Sequence, residues 1–183
     1  MAQNATVFKA QLNIANMDRH YYADHALTLA LHPSETEERM MIRLLGFIMH
    51  ASERLDFTRG LCADDEPDLW QKSYSDEIEL WIDVGLPSDK RVRKACNRAQ
   101  QVVIITYGTD QAINPWLTSI QSEISRQNNL TIVRIPVEQS RALTRLITRN
   151  MQLQSNIQDG QIWITGDEGN VDITPEWIVS AGL

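Results

Sequence analysis

The stretch IELWIDVGLPSDKRVRKA, Ile78 to Ala95, passes from a strand-like pattern into a helix-like one. Apolar residues alternate with mixed residues up to Gly85, which predicts a strand with one apolar and one mixed face. Asp83 lies near the end of this strand, two residues before Gly85. An acid between a strand and the start of a helix is well placed for a divalent metal, which prefers oxygen ligands. The alternative is a surface acid or a partner for the helix dipole.

The segments around this stretch predict an alternating α/β order. Two further apolar strands, VVIITYG and TIVRIPV, follow it with a helical pattern between them. Strand, helix, strand, helix, strand implies right-handed crossovers and parallel pairing. Ahead of it, HPSETEERMMIRLLGFIMHASER predicts an amphipathic helix that begins at a capping box of Ser34 and Glu37.

The two ends of the chain predict additional strands. Residues 5–31 read as a hairpin, and the tail from residue 156 supplies short strands between glycine-bearing turns. We therefore predict a single domain, residues 1–183, with a mixed sheet flanked by helices. Its core spans about residues 34–135, and the terminal strands embellish it.

Composition limits the classes of function. The 183 residues carry a formal charge of −7, which argues against a surface that generally coats nucleic acid. Two cysteines without metal-ligand spacing, and no apolar run of membrane-spanning length, favour an untargeted cytoplasmic protein. The four histidines lack the HExxH spacing, and no phosphate-binding or dinucleotide-binding glycine motif is present.

The helix after Asp83 is strongly basic. Lys90, Lys94 and Arg98 recur at four-residue intervals and therefore form one stripe, separate from the apolar face. Such a stripe can bind phosphates, and the alternative is an ordinary solvated helix face.

Other acids compete as metal ligands. In ADDEPDLW, Asp65 could bind a cation, although it also fits the N-cap of a short helix with Pro67 in its first turn. Glu38 flanks the apolar stripe of the first helix, so its carboxylate could point along the sheet.

Four blocks of the sequence together carry a family resemblance: HPSETEERMMIRLL, ERLDFTRGLCADDEPDLW, LWIDVGLPSDKRVRKA and IQDGQIWI. In this order they resemble the YaeQ family over essentially the whole chain. The resemblance implies a variation of the PD-(D/E)xK restriction-endonuclease-like fold. That fold has a helix before a strand meander and another helix after the acid-bearing strand. Fold alone does not confer an activity.

The resemblance also implies roles for individual residues. By position, Asp83 becomes the strand acid of a metal site and Glu38 the helix acid. Gly85 stands where the family pattern has a lysine, so Lys90 or Lys94 is the candidate replacement. The remaining metal ligand is open among Asp65, Asp56 and Glu53. The pair Pro67–Asp68 is set aside, because its acidic turn does not clearly begin the adjacent strand.

The first functional hypothesis is an Mg²⁺-dependent phosphodiesterase acting on DNA or RNA. In it Asp83, Glu38 and Asp65 bind the metal, Lys94 or Lys90 supports the nucleophile, and Arg91 and Arg98 contact the nucleic acid. The second hypothesis is a noncatalytic derivative that keeps the groove as a surface for binding nucleic acid or protein.

Overall fold

The computed structural model describes residues 4–182, with the side chain of Cys62 excepted, and arranges them as two mixed sheets. The sequence predicted one sheet with embellishments at both ends. That prediction is wrong in one respect, because the N-terminal hairpin and three strands from residues 150–173 form a sheet of their own.

The first sheet has the order β10-β9-β8-β1-β2. The predicted N-terminal hairpin is present, and β1 pairs with β8 in parallel, so the two ends of the chain meet in this sheet. Its strands are β1 (Thr6–Asn16), β2 (Tyr21–Leu31), β8 (Asn150–Gln158), β9 (Gln161–Gly166) and β10 (Gly169–Ile173).

The second sheet has the order β11-β7-β6-β5-β4-β3. The pairs of β5 with β6 and of β6 with β7 are parallel, as the alternating pattern predicts, and the outer pairs are antiparallel. Its strands are β3 (Leu55–Phe57), β4 (Leu69–Lys72), β5 (Ile78–Val84), β6 (Ala99–Tyr107), β7 (Leu130–Ile135) and β11 (Glu176–Val179).

Five α-helices and two short 3₁₀ turns complete the described part of the chain. The α-helices are α1 (Glu37–His50), α2 (Asp89–Arg98), α3 (Asp110–Ser119), α4 (Gln121–Arg126) and α5 (Val137–Leu143), and the 3₁₀ turns are Gly60–Cys62 and Thr144–Leu146. Residues 4–182 include no helix that is both long and apolar enough to cross a bilayer.

The α1 helix lies between the two sheets and is buried over most of its surface. One apolar cluster joins α1 to the inner faces of both sheets and to α5. A second cluster lies on the opposite face of the second sheet, under α2, α3 and α4. Gly46 lets α1 pack closely against the second sheet, because a Cβ at this position would lie only 3.0 Å from Cδ1 of Ile105.

The start of α1 differs from the predicted capping box. Thr36, rather than Ser34, is the N-cap, and its side chain accepts a hydrogen bond from the amide of Arg39 at 3.1 Å. Ser34 instead bonds the ring of His32. The capping chemistry was anticipated, but it acts two residues later, because residues 33–35 turn before the helix begins.

Candidate functional site

A cleft of about 260 Å³ lies at the carboxyl end of β5. This edge is where ligands commonly bind in sheets with parallel strands, because loops and helix N-termini converge there. The walls come from α1, the loop before β4, the end of β5 and the start of α2. Its lining residues include Arg39, Leu61, Asp64, Asp68, Asp83 and Arg91.

Asp68 is the acid that completes the pair with Asp83. It directly precedes β4, and its amide donates to the carbonyl of Ile82 at 3.0 Å, which continues the ladder with β5. Its carboxylate accepts the amide of Val84 at 2.8 Å. The sequence analysis set Pro67–Asp68 aside on the ground that it does not begin the adjacent strand, and that reasoning is wrong.

Both carboxylates are buried, with Asp68 4% and Asp83 3% exposed. Burial raises the pKa of Asp68 above its usual value. The guanidinium of Arg39 opposes this shift, and the negative charge of Asp83 adds to it. The two acids are therefore close enough to interact electrostatically, as expected where two carboxylates share a site.

Asp83 is engaged by Arg91 from the first turn of α2. The guanidinium makes a two-point contact, from Nε to Oδ2 at 2.8 Å and from Nη2 to Oδ1 at 3.0 Å. The cation beside the strand acid is thus an arginine. Because arginine stays protonated, it can stabilise negative charge but cannot act as a base.

Asp68 is engaged by Arg39 from α1. Nη2 of Arg39 lies 2.9 and 3.0 Å from the two carboxylate oxygens of Asp68, and its Nη1 bonds Glu35 at 3.0 Å. Glu35 also accepts two bonds from Arg43, whose guanidinium reaches the carbonyl of Ala30 on the first sheet. A chain of paired charges therefore crosses from the cleft to the other sheet.

Gly85 explains why no lysine stands two residues after Asp83. Its backbone has a φ of 103°, in the left-handed region that side chains disfavour. Added side-chain volume is not the obstacle, since a Cβ there would meet nothing within 4 Å. The turn from β5 into α2 requires this conformation, so a cation has to come from the helix.

Neither predicted lysine reaches Asp83. Lys90 is exposed and forms no ion pair within residues 4–182. Lys94 forms an ion pair with Asp65, an exposed carboxylate of the loop before β4. The proposed N-cap role of Asp65 is also wrong, because no helix follows it and Pro67 leads into β4.

The other predicted site residues lie apart from the acid pair. Glu38 faces α5, where its carboxylate accepts the hydroxyl of Ser140 at 2.7 Å. Arg98 donates to the backbone carbonyl of Asp65 at 2.8 Å. Glu53 and Asp56 lie together in a shallow depression beside Trp70. The described side chains bring no three His, Cys, Asp or Glu residues together as a metal cluster.

Glu35, Arg39 and Asp68 are the residues that sequence reasoning missed. Glu35, Arg39 and Arg43 are spaced by four residues, so one acid followed by two bases was visible as an i, i+4 series across the start of α1. The signal for Asp68 was the Pro–Asp pair itself. Its pairing with β5 required the register of β4, which the sequence does not specify.

Comparison with known proteins identifies the family. The sequence model described as YaeQ protein matches residues 1–175. The chain belongs to the YaeQ family. Among members of this family, the uncharacterized protein YaeQ of Escherichia coli K12 is 45% identical over 173 residues, which cover 94% of this chain and 95% of the relative. The corresponding protein of Salmonella typhi is 44% identical with the same coverage.

Two crystal structures of YaeQ proteins share the whole architecture. The protein from Xanthomonas axonopodis pv. citri has a TM-score of 0.92 and 47% identity, covering 96% of this chain and 99% of that one. The protein from Pseudomonas syringae has a TM-score of 0.91 and 32% identity, covering 96% and 97%. The YaeQ fold is therefore the two-sheet α/β arrangement described above.

Proposed function

We propose that this YaeQ-family protein is a divalent-metal-dependent phosphodiesterase, and that Asp68 and Asp83 form its working site. The observation that carries the proposal is the convergence of these two buried carboxylates in one cleft at the carboxyl end of β5. Two carboxylates in one buried site raise each other's cost of ionisation, and perturbed acids that line a cleft are candidates for a functional site.

The order of elements around the pair supports a relationship to the PD-(D/E)xK architecture. A helix, α1, precedes the antiparallel meander of β3, β4 and β5, and α2 and the parallel strand β6 follow. Asp68 directly precedes the second strand of the meander, and Asp83 lies near the end of the third. This is the arrangement that the resemblance implies, with Asp68 in place of Glu38 and Asp65.

The donor set is compatible with Mg²⁺. This ion is usually held by one or two carboxylates, with water and substrate phosphate as its other ligands. Each carboxylate offers about four lone-pair sites, and Arg91 takes two of those on Asp83. Bound there, a divalent cation would polarise a phosphate oxygen and lower the pKa of a coordinated water.

The residues of the chain have separable roles in this proposal. Asp68 and Asp83 would hold the cation, and Arg39 fixes the orientation of Asp68 through its contact with both oxygens. Arg91 would support negative charge on the phosphate, in the place of the lysine that the position of Gly85 excludes. Lys90, Lys94 and Glu38 have no role at the reacting phosphate.

A noncatalytic function is the second candidate, and a specific observation favours it. Each carboxylate is already paired with a guanidinium, so the charges of the cleft balance without a metal. Such a site would be a rigid surface that binds nucleic acid or protein. This alternative predicts folded protein with no cation affinity in the cleft.

Two measurements on the full chain separate the candidates. Mn²⁺ binding would be followed by calorimetry, and cleavage of labelled DNA and RNA strands would be followed with Mg²⁺ or Mn²⁺. The phosphodiesterase proposal requires both signals in the wild type and the loss of both in Asp83→Asn. Asp167→Asn, which makes the same chemical change at an exposed position on the other sheet, should behave as the wild type. Cleavage that persists in Asp83→Asn would assign it to another site or to a contaminant.

A further inference from the structure

Three basic side chains on α2 are occupied by a loop of the same chain. Arg91, Lys94 and Arg98 lie at i, i+3 and i+7 and form what we term the basic face of α2. The loop is residues 63–66, termed the acidic loop, which contains three consecutive carboxylates, Asp64, Asp65 and Glu66.

Each member of the basic face contacts the acidic loop. Arg91 donates to the carbonyls of Asp64 and Glu66 at 3.1 and 2.8 Å. Lys94 pairs with the carboxylate of Asp65, and Arg98 donates to the carbonyl of that residue at 2.8 Å. Three cationic side chains therefore contact the acidic loop, and three of the four hydrogen bonds end on its backbone carbonyls while the fourth joins Lys94 to the carboxylate of Asp65.

The acidic loop has few other attachments. Among the described residues, the hydrogen bonds that leave residues 63–66 go either to the basic face or to Arg59 and Gly60, which lie a few positions before the loop. Leu61, in the preceding turn, is 47% exposed and does not anchor the segment in the core. The contacts with α2 are largely at the surface, where each ion pair contributes only about 0–1 kcal/mol.

We propose that the acidic loop is a built-in competitor for nucleic acid, occupying donors on α2 that would otherwise bind successive phosphates of a strand. The inference rests on the proposed function, and it adds how the nucleic acid is admitted to the cleft. Guanidinium and ammonium groups bind phosphate oxygens as they bind carboxylate and carbonyl oxygens. A strand that takes the basic face must therefore displace the loop.

Arg91 couples this exchange to the acid pair. Four of its N–H groups are used, two on Asp83 and two on the acidic loop. A phosphate that draws Arg91 away from the loop also weakens its hold on Asp83. Displacement of the loop and exposure of the Asp83 carboxylate are thus two results of one event at the mouth of the cleft.

Binding without any divalent cation tests the inference separately from hydrolysis. A fluorescent single-stranded DNA or RNA oligonucleotide would be titrated with the full chain at low salt, and anisotropy recorded. The variant Asp64→Asn/Asp65→Asn removes the Lys94–Asp65 ion pair and one neighbouring negative charge, so it should bind about fivefold more tightly than the wild type. Adding Lys94→Ala and Arg98→Ala to that variant should remove the gain. With three phosphate contacts, the logarithmic salt slope should be about −2.

The matched control is Asp167→Asn/Glu168→Gln, which removes the same two charges at an exposed turn of the first sheet. It should bind as weakly as the wild type. The proposal is overturned if the control gains as much affinity as the loop variant. It is equally overturned if the gain survives loss of Lys94 and Arg98, or if no variant binds. Loss of cleavage in Asp83→Asn leaves these results unchanged, so failure of the proposed hydrolysis remains distinguishable.

Discussion

The two ends of α1 place titratable groups in the interior by opposite means. At the N-terminal end, Arg39 forms an ion pair with Asp68 beside the cleft. At the C-terminal end, about 16 Å from Arg39 at 1.5 Å rise per residue, His50 lines an apolar pocket with Met49 and Trp177. Its Nε2 is buried and has no hydrogen-bond partner among the described residues. Burial, reinforced by the nearby charge of Arg19, lowers the pKa of His50 to about 4.

Both ends nevertheless complement the helix dipole. Glu37 and Glu38 lie in the first turn of α1. At the other end the positive charge comes from Arg19, which donates to the carbonyls of Met49 and Ala51 at 3.3 and 3.1 Å. Arg19 therefore provides the cation that a protonated histidine would supply, and His50 can remain neutral. The difference teaches that a buried ionisable group needs either a partner or neutrality.

Removing Arg39, at the N-terminal end of α1, should have the largest effect on stability. We expect Arg39→Ala to lower the free energy of unfolding by about 3–5 kcal/mol, because the buried carboxylates of Glu35 and Asp68 lose a cation. Urea denaturation followed by circular dichroism measures this change. Arg141→Ala, an exposed arginine on α5, should stay within about 0.5 kcal/mol of the wild type. Equal effects of the two substitutions would contradict the structural role of the pair.

Lowering the pH should destabilise the protein through His50, at the C-terminal end of α1. Because the folded pKa of His50 is about 4 and its ordinary value is 6.5, the unfolded state binds the extra proton between these values. Stability should therefore fall as the pH drops from 6.5 to 4, by about 3 kcal/mol from this group.

His50→Gln, which stays neutral throughout, should flatten this part of the profile. The measurement is urea unfolding at half-unit intervals of pH, with wild type and variant in the same buffers. Asp68 contributes in the opposite direction, since its raised pKa favours the folded state as the pH falls. The difference between the two proteins isolates His50, and parallel profiles would show that His50 is not held neutral.

The second pair of the cleft should be less sensitive than the first. The side chain of Arg91 is 30% exposed, whereas that of Arg39 is 17% exposed, so water can partly replace Arg91 beside Asp83. We expect Arg91→Ala to lower the free energy of unfolding by about 1–3 kcal/mol. Arg91→Ala combined with Asp83→Asn should lower it by less than the sum of the single changes, which urea denaturation would reveal. An additive result would mean that the two side chains do not act as a pair.

The same contrast explains what sequence could anticipate. Apolar periodicity predicted β5, β6, β7 and the helices between them, because burial alone dictates those patterns. Asp83 was singled out because its place between a strand and the following helix depends only on residues that are near it in the sequence. Asp68 and Arg39 were not, since their meeting depends on the register of β4 and on the placement of α1 between two sheets. The separate first sheet was missed for a related reason, because the pairing of β1 with β8 joins residues about 140 positions apart.

The smallest effect should come from the cap that starts α1. Thr36 accepts the amide of Arg39, the residue whose side chain then turns toward Asp68. Thr36→Ala should lower the free energy of unfolding by about 1 kcal/mol, the usual value of an N-cap, and Thr36→Ser should restore most of it. The measurement is again urea denaturation. If Thr36→Ala instead matched the loss in Arg39→Ala, the cap would be holding the charged pair in place as well as starting the helix, and the two contributions at this end of α1 could not be treated as separate.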